Sequence, residues 1–229
     1  MDRRTLLGTL AAGAAATALT ADDKDKTATS MSMASANADY AARPFDFGSG
    51  LNGLSKDLLA EHLTLYKGYV TRTNALLKDV VGAEREGKGG AMVQELRRRL
   101  GFEFSGMRVH EWYFEGLSAA GGKPTENHPL HKAIADTWGS WDAWWAAFKA
   151  TATMPGIGWA ALVKDPMTGR LMNAWFQDHE NAIPVGAHPI LVVDVWEHAY
   201  VKDFGATGRG KYVDAIKPLI TWSVVERRY

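Results

Sequence analysis

The sequence predicts an α+β fold, in which an N-terminal helical hairpin packs on a C-terminal domain with a short antiparallel sheet and flanking helices. Three observations predict this class. Two long segments with helical periodicity come first, separated by the glycine-rich stretch EGKGG. Short apolar runs bounded by turn residues come only beyond Met154. The sequence contains no internal repeat of the length that indicates a solenoid.

The first helix is predicted from Ser55 to Val80, with Ser55 as its N-cap. Its apolar and aromatic positions recur at three- and four-residue steps, which places them on one inward face: Leu58, Leu59, His62, Leu65, Tyr66, Tyr69, Val70 and Leu77. The second helix is predicted from Ala91 to about Gly116, and the loop GGKPTENHP ends it. Together the two segments form the hairpin domain, residues 46–122.

The C-terminal domain is predicted over residues 123–229. Its first part contains one or two helices, split at Gly139 and Ser140, where Ser140 serves as a second N-cap. Two apolar runs around the turn DPMTG then predict a strand–turn–strand unit, and HPILVVDVW is typical of a buried strand. The last segment, Arg209 to Arg227, is predicted to be helical.

The first residues, MDRRTLLGTLAAGAAATALTADD, have the pattern of a signal peptide, predicted at residues 1–21. The apolar run from Leu6 to Leu19 is too short to span a bilayer comfortably, and Arg3-Arg4 resembles a twin-arginine export signal. An ordinary secretory signal is the alternative. Residues 22–45 are polar and aperiodic, which indicates a disordered tether. We therefore expect a periplasmic or extracellular protein with no stable membrane anchor after processing.

Composition narrows the possible functions. The 229 residues carry 26 basic and 26 acidic side chains, so the net charge of zero provides no field for nucleic acid or a membrane surface. The chain has no Cys, which excludes disulfides and thiolate ligands. Any metal site must therefore use histidines and carboxylates.

Four ligand-type residues lie within apolar, aromatic-rich segments: His62, His110, Asp194 and His198. Each histidine alone is more often a hydrogen-bonded core residue than a ligand. A buried carboxylate, however, costs several kcal/mol unless a cation or donors compensate it, in the approximate range measured for buried charges. Three imidazoles and one carboxylate suit Fe, Mn or Zn and leave a position for water or a small substrate.

These segments closely resemble the iron/manganese superoxide dismutase family. Its most specific motif is DVWEHAY at residues 194–200, and the similarity extends from about Leu54 to the C-terminus. Supporting stretches follow in the family's order: GGKPTENHPLHKAIADTWGSWDAW, GIGWAALV, FQD and RGKYVDAIKPLITW. The resemblance implies metal ligands at His62, His110, Asp194 and His198, one Mn or Fe ion per chain, a hairpin on a C-terminal α/β domain, and superoxide as substrate.

The resemblance also assigns Tyr69 to the substrate gateway and Gln177 to a hydrogen bond with the solvent bound to the metal. In the family this glutamine comes either from the position four before the second ligand, mainly in iron enzymes, or from the sheet region, mainly in manganese enzymes. Here the first position is Gly106 and the second is Gln177. The chain is therefore similar to the manganese enzymes.

Other residues are expected at the wall of the site and at a subunit interface. Trp159, Tyr113 and Trp196 are assigned to the wall, with ordinary core packing as the alternative for Trp159 and Tyr113. Glu197 is expected to hydrogen-bond the partner subunit's His198, which implies a homodimer or a higher homo-oligomer.

The sequence departs from the family in the first helix and directly after the DVWEHAY motif. His62 and Tyr69 are one residue closer than usual, and Tyr66 and Val201 replace two residues that touch across the family's dimer. Two other functions therefore stay open. One is a metal-binding or scaffold protein that keeps the fold without the activity, and the other is a different metal reaction, such as oxygen activation or metal sequestration.

Overall fold

The computed structural model describes residues 38–229, so the predicted signal peptide and residues 22–37 of the predicted tether lie outside the described residues. The chain from Asp39 to Tyr229 forms one compact unit. The hairpin and the C-terminal region, predicted as residues 46–122 and 123–229, therefore share one unit. In the part of the chain that is described, no helix has both the length and the apolarity to cross a bilayer.

Two long helices, α1 (Lys56–Arg85) and α2 (Ala91–Glu115), form the predicted hairpin. A two-residue strand pair, β1 (Gly50–Leu51) and β2 (Leu54–Ser55), precedes them. The Ser55 hydroxyl accepts a hydrogen bond from the backbone N–H of Leu58 at 3.1 Å, which confirms the predicted N-cap. Helix α1 extends beyond its predicted end at Val80.

The segment before the hairpin is packed against it. The side-chain amide of Asn74 accepts from the backbone N–H of Tyr40 and donates to its carbonyl, both at 2.9 Å. The Tyr40 ring lies edge-on to Phe104, with ring centroids 6.0 Å apart. The last residues of the predicted tether, from Asp39 to Phe45, are thus part of the compact unit.

Two helices lead into the sheet, α3 (Pro129–Trp138) and α4 (Trp141–Ala152). The break falls where the sequence predicts it, because Gly139 has a left-handed φ of 86° and the Ser140 hydroxyl caps α4 by accepting from the Ala143 N–H.

The sheet has three antiparallel strands in the order β4–β3–β5: β3 (Gly158–Lys164), β4 (Leu171–Gln177) and β5 (His188–Asp194). The register places Trp159 opposite Phe176 on one side and Asp194 on the other. The central strand is almost completely buried, as its apolar sequence predicts. The α+β class is confirmed.

The C-terminal segment is divided rather than continuous. It comprises α5 (Val201–Phe204), α6 (Arg209–Ile216), a 3₁₀ turn (Lys217–Leu219) and α7 (Trp222–Arg228). The segment predicted to be helical from Arg209 to Arg227 is therefore helical over most of its length, with an interruption between α6 and α7. Pro218 has no N–H to donate and its ring obstructs a continuing α-helix, so the chain turns there.

Gly158, at the start of β3, supports a testable prediction about the sheet. Its φ is +144°, and a Cβ atom at this position would overlap the backbone carbonyl of Phe176 on β4. We expect Gly158→Ala to lower the free energy of unfolding by about 3 kcal/mol, because backbone strain and overpacking add. Urea denaturation measures this.

Gly169 provides the matched control. Its φ is +74°, but no atom lies within 4 Å of an added Cβ, so Gly169→Ala should cost only about 1 kcal/mol of left-handed strain. Equal losses in the two variants would contradict the steric explanation.

Candidate metal centre

The structure brings the four predicted ligands together. His62 lies on α1, His110 on α2, Asp194 at the end of β5, and His198 on the 3₁₀ turn Glu197–Ala199. One donor atom from each residue lies within 4.8 Å of the others. The cluster therefore joins the helical hairpin to the C-terminal sheet.

The donor atoms are arranged as a metal would require. The Asp194 Oδ2 atom is 3.0 Å from His62 Nε2, 3.1 Å from His198 Nε2 and 3.7 Å from His110 Nε2. Metal–ligand bonds of about 2.1 Å at right angles separate neighbouring donors by about 3 Å. The observed spacing fits one ion bound by all four groups.

His110 shows the fit most clearly. Its Nδ1 lies 2.6 Å from the carbonyl oxygen of Gly106, to which the neutral ring donates a hydrogen bond. Its Nε2 is then left with a lone pair, and this buried atom has no hydrogen-bond partner within the described residues. A buried acceptor without a partner is costly, and a metal cation would satisfy it.

Asp194 holds the negative charge of the cluster. It is fully buried, and its Oδ1 accepts a hydrogen bond from the backbone N–H of Trp196 at 2.8 Å. Burial opposes ionisation, but the charge and hydrogen bond of His198 and the hydrogen bond of His62 outweigh it, so the pKa of Asp194 is lowered. Asp194 in turn raises the pKa of His198 against the effect of burial. The carboxylate is therefore ionised and available to a cation.

The structure corrects the assignment of Gln177. Residues alternate along β4, so Phe176 is buried, whereas Gln177 is exposed. Asp178 then adopts a left-handed φ of 54°, which turns the chain back. The residue that enters the site is His179, which is fully buried.

His179 is held by hydrogen bonds at both ring nitrogens. The indole N–H of Trp159 donates to His179 Nδ1 at 3.0 Å, and His179 Nε2 lies 2.7 Å from the Tyr69 hydroxyl. Because an indole can only donate, Nδ1 is the acceptor and Nε2 carries the hydrogen given to Tyr69. The hydrogen of the Tyr69 hydroxyl is then left for another acceptor.

Burial keeps this hydrogen-bonded chain neutral. Desolvation lowers the pKa of His179 to about 4 and raises the pKa of Tyr69 to about 12. At neutral pH the imidazole is uncharged and the phenol is protonated. Strand alternation alone would place His179 on the same face as the exposed Gln177, so no local sequence signal reveals its entry into the site.

The other predicted neighbours occupy different positions. Trp159 and Tyr113 are buried beside the ligands, with ring centroids 4.8 Å from His110 and 5.3 Å from His62 respectively. The Tyr113 hydroxyl is hydrogen-bonded to that of Tyr212 at 3.0 Å.

Trp196 and Glu197 lie nearer the surface. Trp196 is half-buried and its ring stacks on His198 at 5.9 Å, whereas Glu197 is exposed. An open cleft of about 770 Å³ touches His62, His198 and Glu197. The site is therefore reached from this side of the described chain.

Tyr66 points into the core. It is fully buried, its hydroxyl accepts from the Arg43 backbone N–H at 2.8 Å, and it donates to Glu111 at 3.1 Å. Tyr66, which replaces one of the two residues that touch across the family's dimer, thus anchors the N-terminal segment to the hairpin.

A cluster of three imidazoles and one carboxylate, set between a helical hairpin and a three-stranded sheet, defines a protein with a single transition-metal site. Residues 126–228 match the family described as iron/manganese superoxide dismutases, C-terminal domain. The chain is 33% identical to superoxide dismutase [Mn] 2 of Haloferax volcanii, in an alignment that covers 81% of this chain and 92% of that protein.

The names of two further relatives include iron, one together with manganese and one alone. The chain is 31% identical to superoxide dismutase [Mn/Fe] of Propionibacterium freudenreichii subsp. shermanii, with 81% of this chain and 93% of that protein covered. It is 33% identical to superoxide dismutase [Fe] of Cupriavidus metallidurans, with 78% and 90% covered. The chain belongs to the iron/manganese superoxide dismutase family. It is an oxidoreductase that acts on superoxide and binds manganese or iron.

Gly106 supports a prediction about the Tyr69–His179 pair. A Cβ atom here would lie 2.7 Å from Tyr69 Cδ1 and 3.1 Å from His179 Cδ2, so both rings must shift. We expect Gly106→Ala to reduce turnover by about tenfold or more, since small displacements of positioned groups are costly to catalysis. Superoxide consumption normalised to bound metal measures this.

Gly101, on the same helix, is the control. An added Cβ meets no atom within 4 Å, so Gly101→Ala should keep its turnover and gain about 0.5–1 kcal/mol of stability from the better helix former. Full activity in Gly106→Ala would show that the two rings need not hold these positions.

Proposed function

We propose that this chain dismutates superoxide at one manganese ion held by His62, His110, Asp194 and His198. The observation that supports it most directly is the converging donor set, in which the unpaired Nε2 of His110 faces the ionised Asp194 carboxylate. Three imidazole nitrogens and one carboxylate suit a metal that changes between 2+ and 3+.

An ion held by His62, His110, Asp194 and His198 would supply the redox chemistry, the transfer of one electron between two superoxide anions that gives oxygen and, with two protons, hydrogen peroxide. The chain's residues manage the protons. Tyr69 Oη receives a hydrogen bond from His179 Nε2, so its own hydrogen is directed to the substrate side. Trp159 fixes the tautomer of His179. Together they place one donor hydrogen at the site without adding charge.

Manganese is proposed ahead of iron. The group that hydrogen-bonds within the site, His179, comes from the sheet side after β4, as in the arrangement that the sequence associates with manganese enzymes. Gly106 leaves the space on α2 that this ring occupies. The Haloferax volcanii relative is named for manganese.

We further propose a homodimer in which the partner subunit contacts the rim of the open cleft and leaves its mouth open to the substrate. Glu61, Leu65, Glu197 and Val201 line this cleft. Leu65 was predicted on the inward face of the first helix, but it is 41% exposed at the cleft, where a partner subunit can cover it. Contact at the rim would also narrow the approach to His198, whose side chain is 22% exposed. Sedimentation velocity tests the dimer, and a monomer at micromolar concentration would contradict it.

Export by the twin-arginine route remains a proposal that rests on Arg3-Arg4 and the apolar run that follows. Replacing both arginines by lysine should retain unprocessed protein inside the cell. Normal export of that variant would favour the general secretory route.

The ligand assignment predicts that His110→Ala and Asp194→Ala each lose metal and activity together. Each variant removes a donor, so metal bound per chain and superoxide consumption should both fall by more than about a hundredfold, beyond the effect of changing an outer partner. Stability should also fall, because the ion binds only the folded chain. Elemental analysis and an activity assay on the same samples check this.

His188→Ala is the matched control for these variants. His188 lies at the exposed start of β5, the strand that carries Asp194, and it is not part of the cluster. It should retain both metal and activity. A metal content near one per chain in Asp194→Ala would refute the assignment.

The metal assignment predicts higher turnover with manganese than with iron when the metal-stripped protein is reconstituted with each ion separately. The first coordination sphere accepts both ions, so some activity with iron is expected. Turnover normalised to bound metal makes the comparison. High activity with iron together with none for manganese would overturn the assignment.

A further inference from the structure

A buried carboxylate holds two arginines near the Tyr69–His179 pair. Glu103, on α2, is fully buried, and one of its oxygens accepts from Arg72 Nε at 2.7 Å. Its other oxygen accepts from Arg99 Nε at 2.9 Å and Arg99 Nη2 at 2.6 Å. The arginine side chains remain about half exposed, at 48% for Arg72 and 45% for Arg99. The cluster therefore exposes two positive charges to solvent, whereas its one negative charge, on Glu103, is buried.

The two guanidinium groups lie over the aromatic rings of Tyr69 and Phe102. Arg72 Cζ is 4.8 Å from the ring centroid of Tyr69, and Arg99 Cζ is 4.6 Å from that of Phe102. Phe102 in turn contacts the His179 ring at a centroid distance of 4.5 Å. Arg72 thus lies against one member of the hydrogen-bonded pair, and Arg99 is one aromatic ring away from the other.

Helix α1 aligns Arg72 with the open side of the metal centre. His62, Leu65, Tyr69 and Arg72 follow one another at three- and four-residue steps, so they lie along one face of the helix. His62 and Leu65 line the open cleft. Arg72 lies two turns beyond Leu65, about 10 Å along the axis, which is close to the screening length of about 8 Å at physiological ionic strength.

The charges near the cleft do not themselves attract an anion. Glu61 and Lys202 form an ion pair at 2.5 Å, and Glu197 adds an exposed negative charge. The formal net charge of the whole chain is zero. A long-range field that draws superoxide must therefore come from a local group of cations.

We propose that Arg72 and Arg99, fixed by Glu103, steer the superoxide anion to the Tyr69 side of the metal centre. They are positioning residues that act on the encounter and do not contact the reacting atoms. Glu103 orients both guanidinium groups from the buried side, which leaves their outer edges exposed to the solvent. The inference rests on the superoxide dismutase function and adds the groups that bring in its substrate.

The test replaces the arginines and follows kcat/KM as a function of ionic strength in metal-loaded protein. The variants are Arg72→Gln and Arg99→Gln, singly and together, and the triple variant with Glu103→Gln, which leaves no buried carboxylate without a partner. We expect kcat/KM at low ionic strength to fall about twofold for each lost charge, as for unit charges about 10 Å apart in water. The difference from the parent should shrink as salt is added.

Arg97→Gln is the matched control, since Arg97 is an exposed arginine on the same helix, paired with Glu84. This variant removes the same charge at a position away from Tyr69 and Phe102, so its kcat/KM should change much less. Arg72→Lys and Arg99→Lys keep the charge and should retain most of the parent's kcat/KM and its salt dependence. Elemental analysis of each variant reports metal content independently of activity.

Three results would overturn the proposal: an unchanged salt dependence in the double and triple glutamine variants, an equal loss in Arg97→Gln, or a loss that lysine does not restore. A loss that follows metal content would likewise assign the cluster a purely structural role. Failure of the superoxide dismutase function itself is distinguishable, because the parent protein would then be inactive when fully loaded with metal.

Discussion

The Asp194 carboxylate, fully buried at the end of β5, can be ionised there only because polar groups surround both of its oxygens. One oxygen is fixed by the Trp196 backbone N–H, and the other faces three imidazoles. Those imidazoles come from α1, α2 and the turn after β5. The need to compensate one charge therefore ties the hairpin to the sheet.

The sheet register gives this carboxylate its surroundings. Trp159 pairs with Asp194 on β5 and with Phe176 on β4, so the indole lies between the ligand cluster and the segment that carries His179. Its N–H then selects the tautomer of His179, which in turn orients Tyr69. A shift of one residue in either pairing would turn Trp159 or Asp194 away from the cluster. Backbone pairing thus determines the hydrogen-bond chemistry of the site.

The sequence predicted those features that depend on local pattern. Helical periodicity and side-chain caps predicted the hairpin and the break before α4, and the apolar runs predicted the strands. The four ligands were found because ionisable residues in apolar segments are conspicuous. His179 was missed because its inward position depends on the left-handed turn at Asp178, a backbone conformation that a motif does not reveal. Helical periodicity predicted the inward position of Tyr66, but its hydrogen bonds involve Glu111 and the distant Arg43 backbone, which no local pattern brings together.

The balance of buried charge explains why a cation is needed at one point only. Within residues 38–229, two other carboxylates are buried, Glu103 and Glu111. Glu103 is held by Arg72 and Arg99, and Glu111 by Arg108 at 2.6 Å. Asp194 faces imidazoles instead, and burial lowers the pKa of both His62 and His110, which keeps these two rings neutral. The hairpin thus neutralises its own buried carboxylates with arginine. At the metal centre, the negative charge of Asp194 is surrounded by imidazole nitrogens instead, and such a group of ligands binds a metal ion in place of protons.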